Sequence, residues 1–216
     1  MLRLALISLC VSYACAQSSE DTMAELTRII DAGNGSARIY NLRGSENFKL
    51  GRIDESIADF DKAVEMQPAS DPHHWQRGIS YYYAGRFKDG REQFERHQTV
   101  NPNDVENGVW HFLCATRELG LEEARQRLLP ISGDPRVPMR EIYQLFRGEI
   151  DVDAVLQATN DENSRFYGDL YIGLYYEAIE DAANAKLYLT RAAGRSVGGH
   201  YMWQVARVHA QRLVEP

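Results

Sequence analysis

Two segments of this chain repeat one another at an offset of 34 residues. Aligning ARIYNLRGSENFKLGRIDESIADFDKAVEMQP (37–68) with DPHHWQRGISYYYAGRFKDGREQFERHQTVNP (71–102) superimposes Gly44 on Gly78, Gly51 on Gly85, Phe60 on Phe94 and Pro68 on Pro102. Four matches of chemically special residues at one offset define an internal repeat. A repeat constrains the fold more than any local propensity does, because a single unit cannot bury its apolar face and must stack on a neighbour.

The unit resembles the tetratricopeptide repeat, a 34-residue helix-turn-helix with small residues at fixed points and a closing proline. The resemblance implies an all-α fold, a right-handed superhelix of antiparallel helix pairs with a C-terminal capping helix. In that frame Gly44 and Gly78 let the second helix of each pair approach the first. Gly51 and Gly85 fit the turn between them. Phe60 and Phe94 are the apolar plugs, and Ala63 leaves room for the next unit. His97 stands where Ala63 has its methyl, so packing between the second and third repeats is expected to be looser or partly polar.

The layout that follows is a signal peptide over 1–16, an N-terminal segment with a short helix over 17–36, and a repeat domain over 37–216. Its clear repeats are 37–70 and 71–104, with degenerate pairs over 105–160, a last repeat over 164–197 and a capping helix over 200–213. Ten to twelve helices are expected. Asp71 before Pro72 has the order of an N-cap and a first-turn proline, and NDVE at 103–106 has the look of a helix start.

The run Tyr81, Tyr82, Tyr83 looks like an aromatic cluster, but consecutive helical residues are turned by about 100°, so the three cannot share a face. Tyr81 falls on the side of Gly78 and belongs to the core. Trp75, Ile79 and Tyr82, with Tyr83 beside them, fall on the side that lines the inner groove in this family. Arg38, Asn41 and Phe48 occupy that face one repeat earlier, and Val109, Leu113 and Arg117 one repeat later. Such a stripe is either a peptide-binding groove edged by Arg38 and Arg117 or a surface covered by another part of the chain or a second copy.

Composition narrows the function classes. A formal charge of -7 opposes a sequence-independent grip on phosphate backbones, so nucleic acid is not an expected partner. The start, MLRLALISLCVSYACAQSSED, has Arg3, an apolar run from Leu4 to Ala16 and an Ala14-Cys15-Ala16 cleavage site before Gln17, as in a secretory signal. Lipidation at Cys15 is the alternative and would anchor the chain in a membrane, although Ser12 replaces the aliphatic residue of a lipobox. Cleavage at either point removes Cys10. The A-x-A reading leaves Cys114 alone, which excludes an intramolecular disulfide.

No metal or cofactor is expected. The six histidines lack a metal spacing, Cys114 reads as a small core hydrophobe, and no nucleophile elbow, P-loop or dinucleotide fingerprint is present. Asp54-Glu55, Glu122-Glu123 and Asp161-Glu162 fit helix starts. A hydrolase of saccharides would need two converging carboxylates, and the sequence shows no such pair. The chain is therefore read as non-enzymatic.

From Ala37 onward the layout also resembles the NlpI-type repeat proteins of the bacterial cell envelope. The resemblance rests on the repeats ending MQP and VNP and on the runs NPNDVENGVWHFL, EIYQLFRGEI, RFYGDLYIGLYYEAIEDAANAKLYLTRAA and HYMWQVARVH. It implies an adaptor that docks envelope proteases and peptidoglycan hydrolases and forms homodimers, located in the periplasm or secreted. Two function classes stay open: an adaptor capturing a partner segment in its groove, and a structural oligomer whose groove is self-filled.

Overall fold

The computed structural model describes residues 18–197 and 199–213. The signal-peptide and Cys15 readings lie outside the described residues. Helix α1 covers 18–29 and runs into a π-turn at Ile30–Asn34. There follow α2 (Ala37–Lys49), α3 (Ile53–Met66), α4 (Trp75–Tyr83), α5 (Phe87–Gln98), α6 (Val105–Leu119) and α7 (Leu121–Gln126). The series ends with α8 (Met139–Arg147), α9 (Val152–Ala158), α10 (Glu162–Ala178), α11 (Ala182–Ala193) and α12 (Tyr201–Arg212). Consecutive helices pack as pairs, α2 with α3, α4 with α5, α6 with α7, α8 with α9 and α10 with α11, and the pairs stack on one another. This is an all-α repeat fold of the tetratricopeptide type.

Local chemistry accounts for the helix ends. Ser36, Asp104, Asp151, Asp161 and Asp181 each accept a hydrogen bond from a backbone N–H of the helix they precede, satisfying donors that the first turn leaves free. Asp161 and Ser164 complete a reciprocal capping box at the start of α10. Gly51 (φ 75°) and Gly85 (φ 73°) occupy the left-handed region in the turns α2–α3 and α4–α5, a region that side chains with a Cβ disfavour.

The Asp71-Pro72 reading needs correction. A 3₁₀ helix spans Pro68–His73, and α4 starts at Trp75 after His74. Asp71 instead pairs with Arg77 at 2.9 Å and Arg96 at 2.7 Å, which ties that turn to the second pair. The third pair is uneven, a long α6 against a short α7. Its second helix, α7, ends at Gln126, and the chain to α8 is pinned by Arg136, which pairs with Asp104, Glu106 and Asp134.

Close approach sets the spacing within a pair. A methyl on Gly78 would lie 2.7 Å from Cζ of Phe94, and one on Gly173 2.6 Å from Cγ of Leu189. Phe60, Ala63, Tyr81 and Phe94 are buried. Tyr81 donates its hydroxyl to Asp61 at 3.0 Å. His97, buried between units, has Nδ1 2.8 Å from the Pro72 carbonyl oxygen, so a polar contact fills the place of a methyl. Cys114 is buried, and burial pushes its thiol up, which suits a packing role.

Replacing Gly78 by Ala sets a helix-propensity gain of up to about 1 kcal/mol against overpacking of roughly 1–3 kcal/mol. The added carbon would meet the buried Phe94 ring at three atoms, 2.7–3.1 Å away, so the variant is expected to be less stable than the parent in urea titration. Gly133→Ala, with nothing within 4 Å of the added carbon, serves as the neutral control. Greater stability of Gly78→Ala would remove close approach as the cause.

Burial lowers the imidazoles of His74 and His111, assisted at His74 by Arg77 and resisted at His111 by Glu95. A depressed histidine favours the fold while both states are neutral. That contribution drains away as pH falls below the unfolded value of 6.5 and the unfolded chain protonates first. Burial raises the carboxyls of Glu106 and Asp169 and acts in the opposite sense, so the readout is a comparison of slopes. Melting temperature plotted from pH 7 to about 5.5 is expected to fall less steeply in His111→Gln than in the parent, and equal slopes would remove His111 from the account.

Candidate functional site: the inner groove and its C-terminal helix

The inner face is built from α2, α4 and α6, one helix from each of the first three pairs. Phe48, Ile79, Tyr82, Tyr83, Val109 and Leu113 are all buried, Trp75 and Asn41 are half-buried, and Arg38 and Arg117 are exposed. The structure therefore brings the apolar stripe together and leaves only its rim in solvent. Over Phe48, Trp75, Ile79 and Tyr83 the cover is α12, which packs on α11 and reaches across to α2; at Val109 and Leu113 the helix α6 packs on α8 and α10. Of the two alternatives the sequence left open, the structure has the stripe covered from within the chain.

Aromatic contacts make the seat. Tyr201 stacks on Phe48 with ring centroids 5.3 Å apart and meets Trp75 edge-on at 5.1 Å. Met202 closes a cavity of about 70 Å³ with Trp75, Ile79 and Trp110. Tyr82 packs edge-on against Tyr83, Phe87 and Trp110. Such pairs add about 0.5–1.5 kcal/mol each beyond area burial.

At the far end of the groove lies a polar chain. Tyr82 donates to Glu177 Oε1 at 3.0 Å, Tyr83 Oη is 2.9 Å from His209 Nδ1, and His209 Nε2 is at ion-pair distance from Glu177 Oε2, 2.9 Å. A carboxylate only accepts, so in the neutral imidazole the proton sits on Nε2 facing Glu177, and Tyr83 donates to Nδ1. Burial pushes the phenols of Tyr82 and Tyr83 well above their ordinary value, which keeps both as donors. Burial also works to raise the Glu177 carboxyl, but His209, Tyr82 and Arg117 outweigh it and hold it below the usual range. Arg212 donates to the Tyr83 carbonyl at 3.0 Å.

This end opens to solvent as a cleft of about 420 Å³, lined among others by Phe87, Arg117, Glu177 and Arg212. Arg117 sits over the Phe87 ring at 5.7 Å. The cleft thus offers an apolar floor with cationic edges. No group of three or more histidine, cysteine or carboxylate residues able to hold a metal occurs among the described residues, and none of their helices is long and apolar enough to cross a membrane.

Residues 37–70 match the family model described as tetratricopeptide repeat. The match covers the first helix pair and enters the 3₁₀ turn. Repeats of this type generally mediate protein–protein interaction, which supports a binding scaffold. Tyr201, Met202, His209, Arg212 and Glu177 escaped the sequence reading as groove residues. For Tyr201, Met202 and His209 the signal was the amphipathic run HYMWQVARVH; Glu177 and Arg212 carried none, and the contacts joining these residues to Tyr82 and Tyr83 span about a hundred positions.

Two hydroxyl deletions separate a satisfied from an orphaned group. Tyr83→Phe removes a buried hydrogen bond and is expected to lower stability by about 1 kcal/mol or more, because His209 Nδ1 is left unpaired. Tyr201→Phe deletes a buried hydroxyl that has no hydrogen-bond partner among the described residues and is expected to be neutral or stabilising. Urea titration of both variants checks the pair, and an equal loss in each would contradict the assigned geometry.

Proposed function

We propose that this protein is an exported, non-catalytic scaffold that holds protein segments on a tetratricopeptide-type array, in the manner of the NlpI-type adaptors that dock envelope proteases and peptidoglycan hydrolases. The observation that carries the reading is the inner face itself: Phe48, Trp75, Ile79 and Tyr83 already seat an amphipathic helix, α12, on a fold type that generally binds proteins. Export rests on Arg3, the Leu4–Ala16 run and the A-x-A site before Gln17. The mature protein is periplasmic or secreted, or membrane-anchored if Cys15 carries lipid, and a homodimer accords with the resemblance.

A second reading follows from the same observation. A groove filled by its own helix also suits a structural protein in which α12 completes the core for good. The rim separates the two, because Arg38 and Arg117 are exposed. Arg117 helps to hold Glu177 ionised and is therefore exchanged for a neutral residue: in affinity capture from envelope extract, Arg38→Glu with Arg117→Gln is expected to lower recovery of envelope hydrolases several-fold with helical content retained. Equal recovery would favour the structural reading. Mass spectrometry of the mature N-terminus is expected to begin at Gln17, whereas diacylglycerol on Cys15 would establish the anchored form.

A further inference from the structure

Helix α12 is seated differently from the paired helices before it. It packs on α11 of the last pair, yet it also reaches the first two pairs: Tyr201 lies on Phe48 of α2, Met202 beside Trp75 and Ile79 of α4, and His209 against Tyr83 of α4 as well as Glu177 of α10. Residues 201, 202, 205 and 209 form one stripe at helical spacing, which is how a bound helix lies in an apolar groove.

The seat is also incomplete. The Tyr201 hydroxyl is buried without a hydrogen-bond partner among the described residues, and so are Trp110 Nε1 and Asn107 Oδ1 on the receiving wall. The last two residues border the 70 Å³ cavity beside Met202. Each such group weakens the docked state relative to one that pairs it. A helix that placed a donor or acceptor in that cavity would hold the groove better than α12 does.

The connection permits departure. Arg195, two residues past the end of α11, is held by Asp169 at 2.6 Å and Glu162 at 3.1 Å. Beyond it, Gly199 just before α12 has φ 105°, a conformation open to glycine. Release of α12 therefore leaves the α10–α11 pair anchored.

We propose that α12 is an exchangeable occupant of the groove, and that the partner class recognised there is an amphipathic helix with an aromatic residue at its start and an imidazole or cationic group two turns on that meets Glu177. This rests on the scaffold reading and names its ligand and its regulation: the free protein is self-occupied, and a partner helix enters as α12 leaves.

The probe is a fluorescein-labelled peptide of residues 199–213, titrated by anisotropy into the full chain and into the full chain carrying Met202→Asp with His209→Asp, which unseats α12 in cis. The released chain is expected to bind the peptide at least tenfold more tightly than the parent, and Trp75→Ala added to it to abolish the gain. Hydrogen exchange on the parent gives a reading independent of any variant: α12 amides are expected to exchange at least a hundredfold faster than those of α4 and α6. The inference fails if the released chain is folded but binds no better, if it loses all helical structure, or if α12 exchanges only with the whole molecule. A proline-rich peptide binding in place of the helix, or dimerisation of the released chain in sedimentation, would overturn the helix as occupant. Any of these leaves the scaffold reading standing on its rim variants, whereas equal capture by those variants sinks the scaffold reading itself.

Discussion

The absence of a β-carbon at one position in three of the five helix pairs governs the spacing of those pairs. At Gly44, Gly78 and Gly173 the partner side chain, Phe60, Phe94 or Leu189, lies where a methyl would have to be. A helix pair drawn that close presents a narrow unit, and such units stack with similar rotation. Glycine facing a large apolar plug thus shapes the inner face at both ends of the array. Stability then comes from interdigitated packing throughout the stack, with no disulfide among the described residues and Cys114, the one cysteine among them, buried.

Curvature alone would leave an apolar stripe in water. Phe48, Trp75, Ile79, Tyr82 and Tyr83 together exceed what a surface ordinarily exposes, and the fold resolves this by returning its last helix through the middle of the array. The polar chain from Tyr82 and Tyr83 through His209 to Glu177 gives that return a register, since hydrogen bonds are directional where apolar contacts are not. The Tyr201 hydroxyl at the other end of α12 is buried without a partner among the described residues, so the register is not fully satisfied along the helix. A surface that is filled but imperfectly satisfied sits between a core and a binding site.

Much of this architecture was legible in the residues. The 34-residue offset located the first two pairs, and the recurrence of the pattern at Gly173, Leu189 and Ala192 located the last. Tyr81, Tyr82 and Tyr83 could be assigned to different faces from helical geometry alone. The start of α4 was misplaced, because the Asp71-Pro72 pair that resembles a cap is used for ion pairs to Arg77 and Arg96 in a 3₁₀ turn.

By itself the sequence determined the period, the helix pairs, the plug and turn residues and the face on which each groove residue sits, because these depend on contacts within about one repeat. Only the tertiary structure decided whether that groove stands open. The contact of Tyr201 with Phe48 and of His209 with Tyr83 joins residues more than a hundred positions apart, and whether they meet depends on the summed rotation of every intervening pair. Small differences in crossing angle accumulate along a solenoid, so no local pattern encodes the place where its end returns.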